Sequence, residues 1–164
     1  MRLVVFGWGN EARGDDALGP LLLRRIAARQ APEVETVEDC QLQIEHALDL
    51  VGFDAALFLD ADRAARAPCV FREIRARAGR APSTHALAPE AVLQVFAEVE
   101  RCAPPPAFVL GMRGERFGLG EELSARGAEA LTAAGGFCEQ LLASRSLEHW
   151  RRLTSQGPLK PGAA

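Results

Sequence analysis

The sequence lacks any hydrophobic run close to the roughly 18 apolar residues that cross a bilayer. It also lacks a block of basic residues, because its arginines are scattered among acids and the net charge is −3. A nucleic-acid-binding surface normally needs such a block. The N-terminus has no lysine-rich lead and no cleavage site typical of a secretory signal. We therefore expect a cytoplasmic protein that binds neither membranes nor nucleic acid.

Paired cysteines are missing as well. Four cysteines lie about thirty residues apart with no Cys-x-x-Cys pair, which excludes a zinc knuckle and a redox dithiol. The chain has no Gly-x-Ser-x-Gly elbow, and no cysteine has the sequence setting of an activated thiolate. We therefore expect no nucleophilic side chain and interpret the cysteines as small core residues: Cys40, Cys69, Cys102 and Cys138.

The sequence does contain alternating strand and helix patterns. At 164 residues it suits one domain with a single core. Helical patterns separate most of the strands, which predicts an α/β three-layer sandwich with a mostly parallel five-stranded sheet and helices on both faces. The predicted strands are Leu3 to Phe6, Glu35 to Val37, Ala55 to Leu59, Val70 to Ile74 and Ala107 to Leu110.

One strand is predicted to run against the others. Val70 to Ile74 follows Ala55 to Leu59 too closely for a helical crossover, so we expect one antiparallel pair. The domain is predicted to cover residues 1–154. Residues 155–164 hold two glycines and two prolines with little to bury, and are predicted to form a flexible tail.

The turn after the first strand is the most informative segment. It combines glycines at 7, 9 and 14 with acids at 15 and 16, where a helix begins and its dipole favours negative charge. A phosphate-binding loop would not place acids at its mouth, since they would repel the anion. The turn therefore favours a metal or a peptide over a nucleotide.

Acids recur after the first three strands. Open α/β sheets bind ligands beyond the carboxyl ends of their strands, and the acids there are Asp15, Asp16, Glu38, Asp39, Asp60 and Asp62. Such carboxylates raise one another's pKa unless a cation relieves the repulsion. His85, at the mouth of a later helix, supplies a nitrogen. The set Asp16, Asp60 and His85 suits a borderline divalent metal with open positions.

Simpler structural interpretations stay open for these residues. Asp15 or Asp16 could be only a helix cap, and Arg63 could neutralise Asp60 in a plain ion pair. His46 lies in an amphipathic stretch and is interpreted as part of a solvated helix face.

Three motifs resemble those of the hydrogenase maturation proteases, which trim the C-terminus of a nickel-iron hydrogenase large subunit after nickel insertion. The first opens with Gly-x-Gly-Asn after a strand. The second is an apolar strand that closes on Asp-Ala, and the third is a serine-bearing loop with a histidine before a helix. In this chain they are Gly7, Gly9, Asn10, Asp15, Asp16, Ala17 and Gly19; Leu57 to Ala61; and Ser83 to Leu87.

The resemblance implies an aspartic-type endopeptidase, a hydrolase that acts on a large-subunit precursor. It also implies that Asp16, Asp60 and His85 are the catalytic, nickel-binding residues, with the nickel supplied by the precursor rather than bound tightly at rest. Many family members have an Asp-Gly-Gly-Thr-like turn where this chain has Asp39-Cys40-Gln41-Leu42. That segment looks like the version acting on soluble NAD-reducing hydrogenases, so Asp39 and Gln41 are predicted to recognise the substrate.

Two other functions are alternatives. The pattern Gly7-x-Gly9-x-x-Ala12 formally fits a dinucleotide-binding Rossmann fingerprint, although bulky Trp8 and the acid Glu11 argue against bound pyrophosphate, and we expect no nucleotide. A non-catalytic nickel or assembly chaperone could use the same surface.

Overall fold

The computed structural model describes residues 1–66, 68–77 and 87–154. Its strands form one five-stranded sheet in the order β2-β1-β3-β5-β4, in which the first four are parallel and β4 is antiparallel. This confirms the predicted fold class. The strands are β1 (Leu3–Trp8), β2 (Val34–Asp39), β3 (Ala55–Asp62), β4 (Cys69–Ile74) and β5 (Ala107–Arg113).

Helices cover both faces of the sheet because the central strands are apolar on both sides. Leu3 and Val5 of β1 point to one core cluster, and Val4 and Phe6 point to the other. The first cluster is covered by α1 (Leu18–Ala27), α3 (Ala125–Ala143) and α4 (Leu147–Thr154), and the second by α2 (Pro89–Glu100) and the 3-10 helix η2 (Ile44–Leu50). A further 3-10 helix, η1 (Gly14–Ala17), precedes α1.

The antiparallel strand is present, but its partner is not the strand that precedes it. β4 pairs with β5, with Val70 opposite Gly111, and β5 itself pairs with β3. The chain between β3 and β4 therefore does not form a hairpin, and its described residues Arg63, Ala65 and Pro68 accept hydrogen bonds from Arg113 at the end of β5. Asp60 consequently lies opposite Gly111, which has no side chain to cover it.

The predicted strands all occur, with bounds that differ by a few residues. The helical pattern at 43–51 forms the 3-10 helix η2, and α4 lies beyond the segments that the sequence predicts to be helical. The expected tail at 155–164 lies outside the described residues. Within the ranges that the structure covers, no helix is long and apolar enough to span a membrane.

Trp150 shows why α4 is part of the domain. Its side chain is fully buried, and its ring packs edge-on against Phe108 and Phe71 at centroid distances of 5.2 and 6.0 Å. Its indole Nε1–H donates to the carbonyl oxygens of Leu141 and Ser144, both at 3.2 Å. The sequence pattern weakens here because α4 is short and fully buries only Trp150, while Leu147 and Leu153 are partly buried against the same core cluster.

Replacing Trp150 by phenylalanine is expected to lower the free energy of unfolding by about 1 to 2 kcal/mol. The substitution keeps an aromatic ring but removes buried volume and the indole donor to the Leu141 and Ser144 carbonyls, of which Ser144 keeps the Ser146 N–H at 2.9 Å. Urea unfolding followed by circular dichroism measures the change. An unchanged midpoint would contradict the structural role of the indole N–H.

Candidate functional site

The loop from Gly9 to Asp16 is folded back on itself at the carboxyl end of β1. The Asn10 N–H donates to Asp16 Oδ2 at 2.8 Å, and Asn10 Oδ1 accepts from the Ala12 N–H at 2.9 Å. Gly9 has φ 144°, and a Cβ there would lie 1.9 Å from the Asp16 carbonyl oxygen. Only glycine fits at this position, and the tight path places the Asp16 carboxylate at the rim of the sheet.

Asp15 is a structural tether. It is fully buried, and its carboxylate accepts hydrogen bonds from the N–H groups of Glu115, Arg116 and Ser124 and from the Ser124 hydroxyl, at 2.7 to 3.0 Å. Burial raises the pKa of Asp15, but these hydrogen bonds outweigh it and hold the pKa below its usual value. Its side chain does not cap η1; it joins the first turn to the start of α3.

Asp60 has the opposite environment. Burial raises its pKa to about 7, and the charges of Asp62 and Asp16 act in the same direction, whereas the charge of Arg72 lowers it. Asp16 and Asp60 are therefore close enough to interact, as the sequence predicts for acids at one sheet edge. A carboxyl group in this setting binds a proton near neutral pH and would gain from a nearby cation.

Arg63 does not neutralise Asp60, as the plain ion-pair interpretation would require. Its guanidinium lies over the Phe117 ring, 4.3 Å from the centroid. The cation that acts on Asp60 is Arg72, which itself pairs with Glu90 at 2.9 Å. Asp60 therefore has no dedicated cationic partner in the described part of the chain.

His85 and the rest of 78–86 lie outside the described residues, so the predicted third ligand stays a prediction. The described chain resumes at Leu87, which packs on the second core cluster, and Glu90 in the first turn of α2 bonds to Arg72. Among the residues that the structure covers, no group of three or more His, Cys, Asp or Glu side chains could hold a metal. Two of the three predicted ligands are thus described, and both are carboxylates at one edge.

A cleft of about 640 Å³ lies beyond the carboxyl ends of β1 and β2. Its acids are Glu11, Glu38 and Asp39, and Arg24 bonds to Glu11 at 2.6 Å and to Glu38 at 2.5 Å. A pyrophosphate here would meet more negative charge than positive, which disfavours the Rossmann alternative. Another cavity, of about 480 Å³ between α1 and α3, contains none of the predicted site residues.

Of the two predicted recognition residues, Asp39 lines this cleft, and Gln41 lies two residues further along the chain. Asp39 accepts from the Cys40 N–H at 2.5 Å and from Gln43 Nε2 at 3.2 Å, so its carboxylate is already engaged. Gln41 is exposed. The segment is held in shape by Asp39 and leaves Gln41 open to a partner.

The interpretation of His46 as part of a solvated face is wrong. Its side chain is buried, with the ring edge-on to Phe6 at 6.0 Å. His46 Nδ1 accepts from the Gln43 N–H at 2.9 Å, and Nε2 lies 3.5 Å from Asp39 Oδ2. The histidine therefore fixes the start of η2 to the end of β2. Its acidic neighbours in sequence, Glu45 and Asp49, are exposed and made the segment look solvated.

Two of the cysteines are buried and two are exposed. Cys69 and Cys138 are buried core residues as predicted, and burial raises the pKa of the Cys69 thiol to about 12. The same interpretation is wrong for Cys40 and Cys102, which are exposed. Both lie in turns where the apolar pattern gives no signal.

Ser124 is a structural residue that the sequence analysis did not identify. Ser124 caps α3 by accepting from the Gly127 N–H at 2.9 Å while its hydroxyl donates to Asp15. A serine directly before a helical pattern is the signal that could have identified the cap. Its partner, 109 residues away, could not be read from the sequence.

No protein-family model matches the chain, and no curated protein matches it. Solved structures do match. A [NiFe] hydrogenase maturation protease, HycI from Thermococcus kodakarensis KOD1, is 25% identical with a TM-score of 0.68, covering 87% of this chain and 93% of that one. The hydrogenase maturating endopeptidase HybD from E. coli is 20% identical with a TM-score of 0.69 over the same shares. These matches confirm the resemblance predicted from the motifs.

Proposed function

We propose that this chain, a structural relative of the [NiFe] hydrogenase maturation proteases, is an endopeptidase that removes the C-terminal extension of a nickel-loaded hydrogenase large-subunit precursor. The observation that supports this most strongly is the joint position of Asp16 and Asp60 at the carboxyl edge of a sheet with the fold of those peptidases. We expect the reaction to take place in the cytoplasm.

In this proposal the nickel belongs to the substrate. Asp16 and Asp60 offer carboxylate oxygens to it, and His85 is the proposed third contact. Carboxylate and imidazole donors suit a borderline divalent ion. The pKa of Asp60 is raised because burial and the charges of Asp62 and Asp16 disfavour its ionised form, and a bound cation would offset both effects. The ion would hold the peptide in place and polarise the scissile carbonyl.

A metal site whose ligands come partly from this protein and partly from the precursor explains how cleavage can wait for metal insertion. Two carboxylates and one imidazole bind a free ion weakly, whereas an ion already held by the precursor brings its remaining ligands with it. The peptide then enters the site only as part of the loaded precursor, which positions the scissile bond. Nickel serves as the recognition element.

The segment 39–42 is the proposed determinant of partner choice. Asp39 shapes it through the Cys40 N–H and Gln43, and the exposed Gln41 side chain is free to contact the precursor. By its resemblance to the corresponding family segment, we propose a soluble NAD-reducing hydrogenase as the partner.

The test incubates the purified protein with a large-subunit precursor, with and without nickel, and weighs the products. The expected result is a shortened large subunit plus a released C-terminal peptide, formed only from the nickel-loaded precursor. If the precursor is processed equally with and without nickel, nickel has no role in recognition. An intact extension, with the precursor bound, would instead identify an assembly chaperone.

Titration with NAD and FAD tests the remaining alternative. Because the cleft beyond β1 and β2 is acidic, we expect no saturable binding in the micromolar range. Saturable binding would favour the dinucleotide-binding module instead.

A further inference from the structure

The outer surface of η2 exposes large apolar side chains. Ile44 and Leu48 of η2 are 56% and 58% exposed, and Val51, directly after η2, is 49% exposed, while the other side of η2 packs into the core. In the described ranges, the remaining large hydrophobic side chains exposed to this degree are Val99 and Leu119. We name Ile44, Leu48 and Val51 the η2 patch. Exposed apolar side chains concentrated on one short element are typical of a surface that binds a partner.

The η2 patch lies in the most acidic part of the chain. Between Gln30 and Asp62 there are nine of the 22 acids and none of the 19 lysines and arginines. Glu45 and Asp49 alternate with the patch residues and are exposed. The nearby cation Arg2 lies over the Phe53 ring, 5.1 Å from its centroid. The exposed carboxylates that alternate with the apolar side chains complement a partner surface whose apolar centre is surrounded by lysine and arginine.

A chain of contacts also joins the start of η2 to the carboxyl edge of the sheet. Gln43, directly before η2, donates to Asp39, and the Asp39 carbonyl accepts from the Gly9 N–H at 3.2 Å. Gly9 in turn packs against the backbone of Asp16. A partner seated on η2 would therefore extend over the cleft toward the predicted nickel-contacting carboxylates.

We propose that the η2 patch docks the folded body of the large-subunit precursor, through an apolar surface rimmed by lysine and arginine, while the carboxyl edge receives the nickel and the C-terminal segment. This inference rests on the proposed function. The two contacts act together, because docking raises the effective concentration of the C-terminal segment at the site. Docking contributes to binding of the substrate and leaves the chemical step unchanged.

The first experiment compares the wild type with the double variant Ile44→Ser/Leu48→Ser on the nickel-loaded precursor. Both side chains are exposed, so the circular dichroism spectrum and the thermal midpoint are expected to stay unchanged. KM is expected to rise about tenfold, with kcat unchanged, since loss of a few apolar contacts at an interface removes about this much affinity.

The second experiment reverses one charge. Glu45→Lys is expected to raise KM about threefold, whereas the matched control Glu129→Lys, an exposed position on α3 across the sheet, leaves KM unchanged. Raising the salt concentration from about 0.05 to about 0.5 M should increase the wild-type KM and reduce the difference between wild type and Glu45→Lys.

The outcomes separate the docking surface from the proposed function. If the wild type cleaves the precursor and the double variant has an unchanged KM, or if only kcat falls, docking at η2 is overturned and the peptidase stands. If the wild type does not cleave, the peptidase fails, and precursor binding is measured directly by titration. Weaker binding by the double variant then upholds the docking surface, and equal or absent binding overturns it.

Discussion

Replacing Asp60 by asparagine is expected to abolish precursor processing and, at the same time, to make the free protein more stable above pH 7. Asparagine keeps the shape of the side chain but carries no charge. The predicted loss of cleavage is at least about a hundredfold, comparable to the loss of a group that orients or stabilises a reacting centre. Activity and stability thus change in opposite directions, as expected where a site is held in an unfavourable state for function.

The pH dependence follows from the pKa of about 7 for Asp60, against 3.8 for the ordinary value. Below about pH 4 the carboxyl is protonated in both folded and unfolded protein and contributes nothing. Between about 4 and 7 the unfolded chain loses the proton while the folded protein keeps it, so stability falls as the pH rises. Above 7 the loss is complete, about 4 kcal/mol. Urea unfolding of the wild type should show this fall, and Asp60→Asn should not.

Asp62→Asn is the matched control. Asp62 lies two residues further along β3, and its carboxylate accepts from the Ala64 N–H at 2.7 Å. We expect this variant to retain cleavage within about tenfold, while the loss of stability with rising pH moves to a lower range because one of the charges acting on Asp60 is gone. If the Asp60→Asn variant cleaves the precursor at the wild-type rate, Asp60 has no role in the reaction.

The largest effect on folding is expected from Asp15→Ala, which should lower the free energy of unfolding by about 3 to 5 kcal/mol. The substitution leaves three backbone N–H groups and the Ser124 hydroxyl without their acceptor in a buried setting. A loss of this size approaches the whole stability of a small domain. Thermal unfolding followed by circular dichroism, supported by urea midpoints, measures it.

Ser124→Ala and the double variant Asp15→Ala/Ser124→Ala complete a mutant cycle. Ser124→Ala should cost about 1 to 2 kcal/mol through the lost helix cap. The double variant should cost less than the sum of the single variants, because the Ser124–Asp15 contact is removed only once. Strict additivity would show that this hydrogen bond adds nothing.

Asp15 also contributes to the dependence of stability on pH in the acid range. Its folded pKa is lowered, so its contribution is present above its unfolded pKa and is lost as the pH falls through the folded value. Asp15→Ala should therefore flatten the stability profile below about pH 4, a range that does not overlap that of Asp60.

The sheet and the position of Asp60 could be predicted from local patterns. Apolar runs such as Leu3 to Phe6 indicate buried strands. Because the carboxyl ends of parallel strands meet at one edge of the sheet, where ligands bind, Asp16 and Asp60 could be predicted to lie there together. Asp60 stands out because it directly follows the fully apolar run Ala55 to Leu59. Both signals lie within a few residues of the feature that they predict.

The features that were missed depend on partners far away in the chain. His46 is buried because Phe6 and Asp39 meet it, and Trp150 because Phe71 and Phe108 do. The pairing of β4 with β5 depends on a strand more than thirty residues later. Hydrophobic periodicity describes each segment alone and contains no information on which segment it will meet.

The bond between Asp15 and Ser124 joins residues 109 positions apart. During synthesis the first turn therefore leaves the ribosome long before its anchor exists, and the loop that carries Asp16 cannot be fixed until α3 has begun. A nascent or truncated chain would have the motif without a formed edge. Under the proposed function, cleavage would then require a finished molecule.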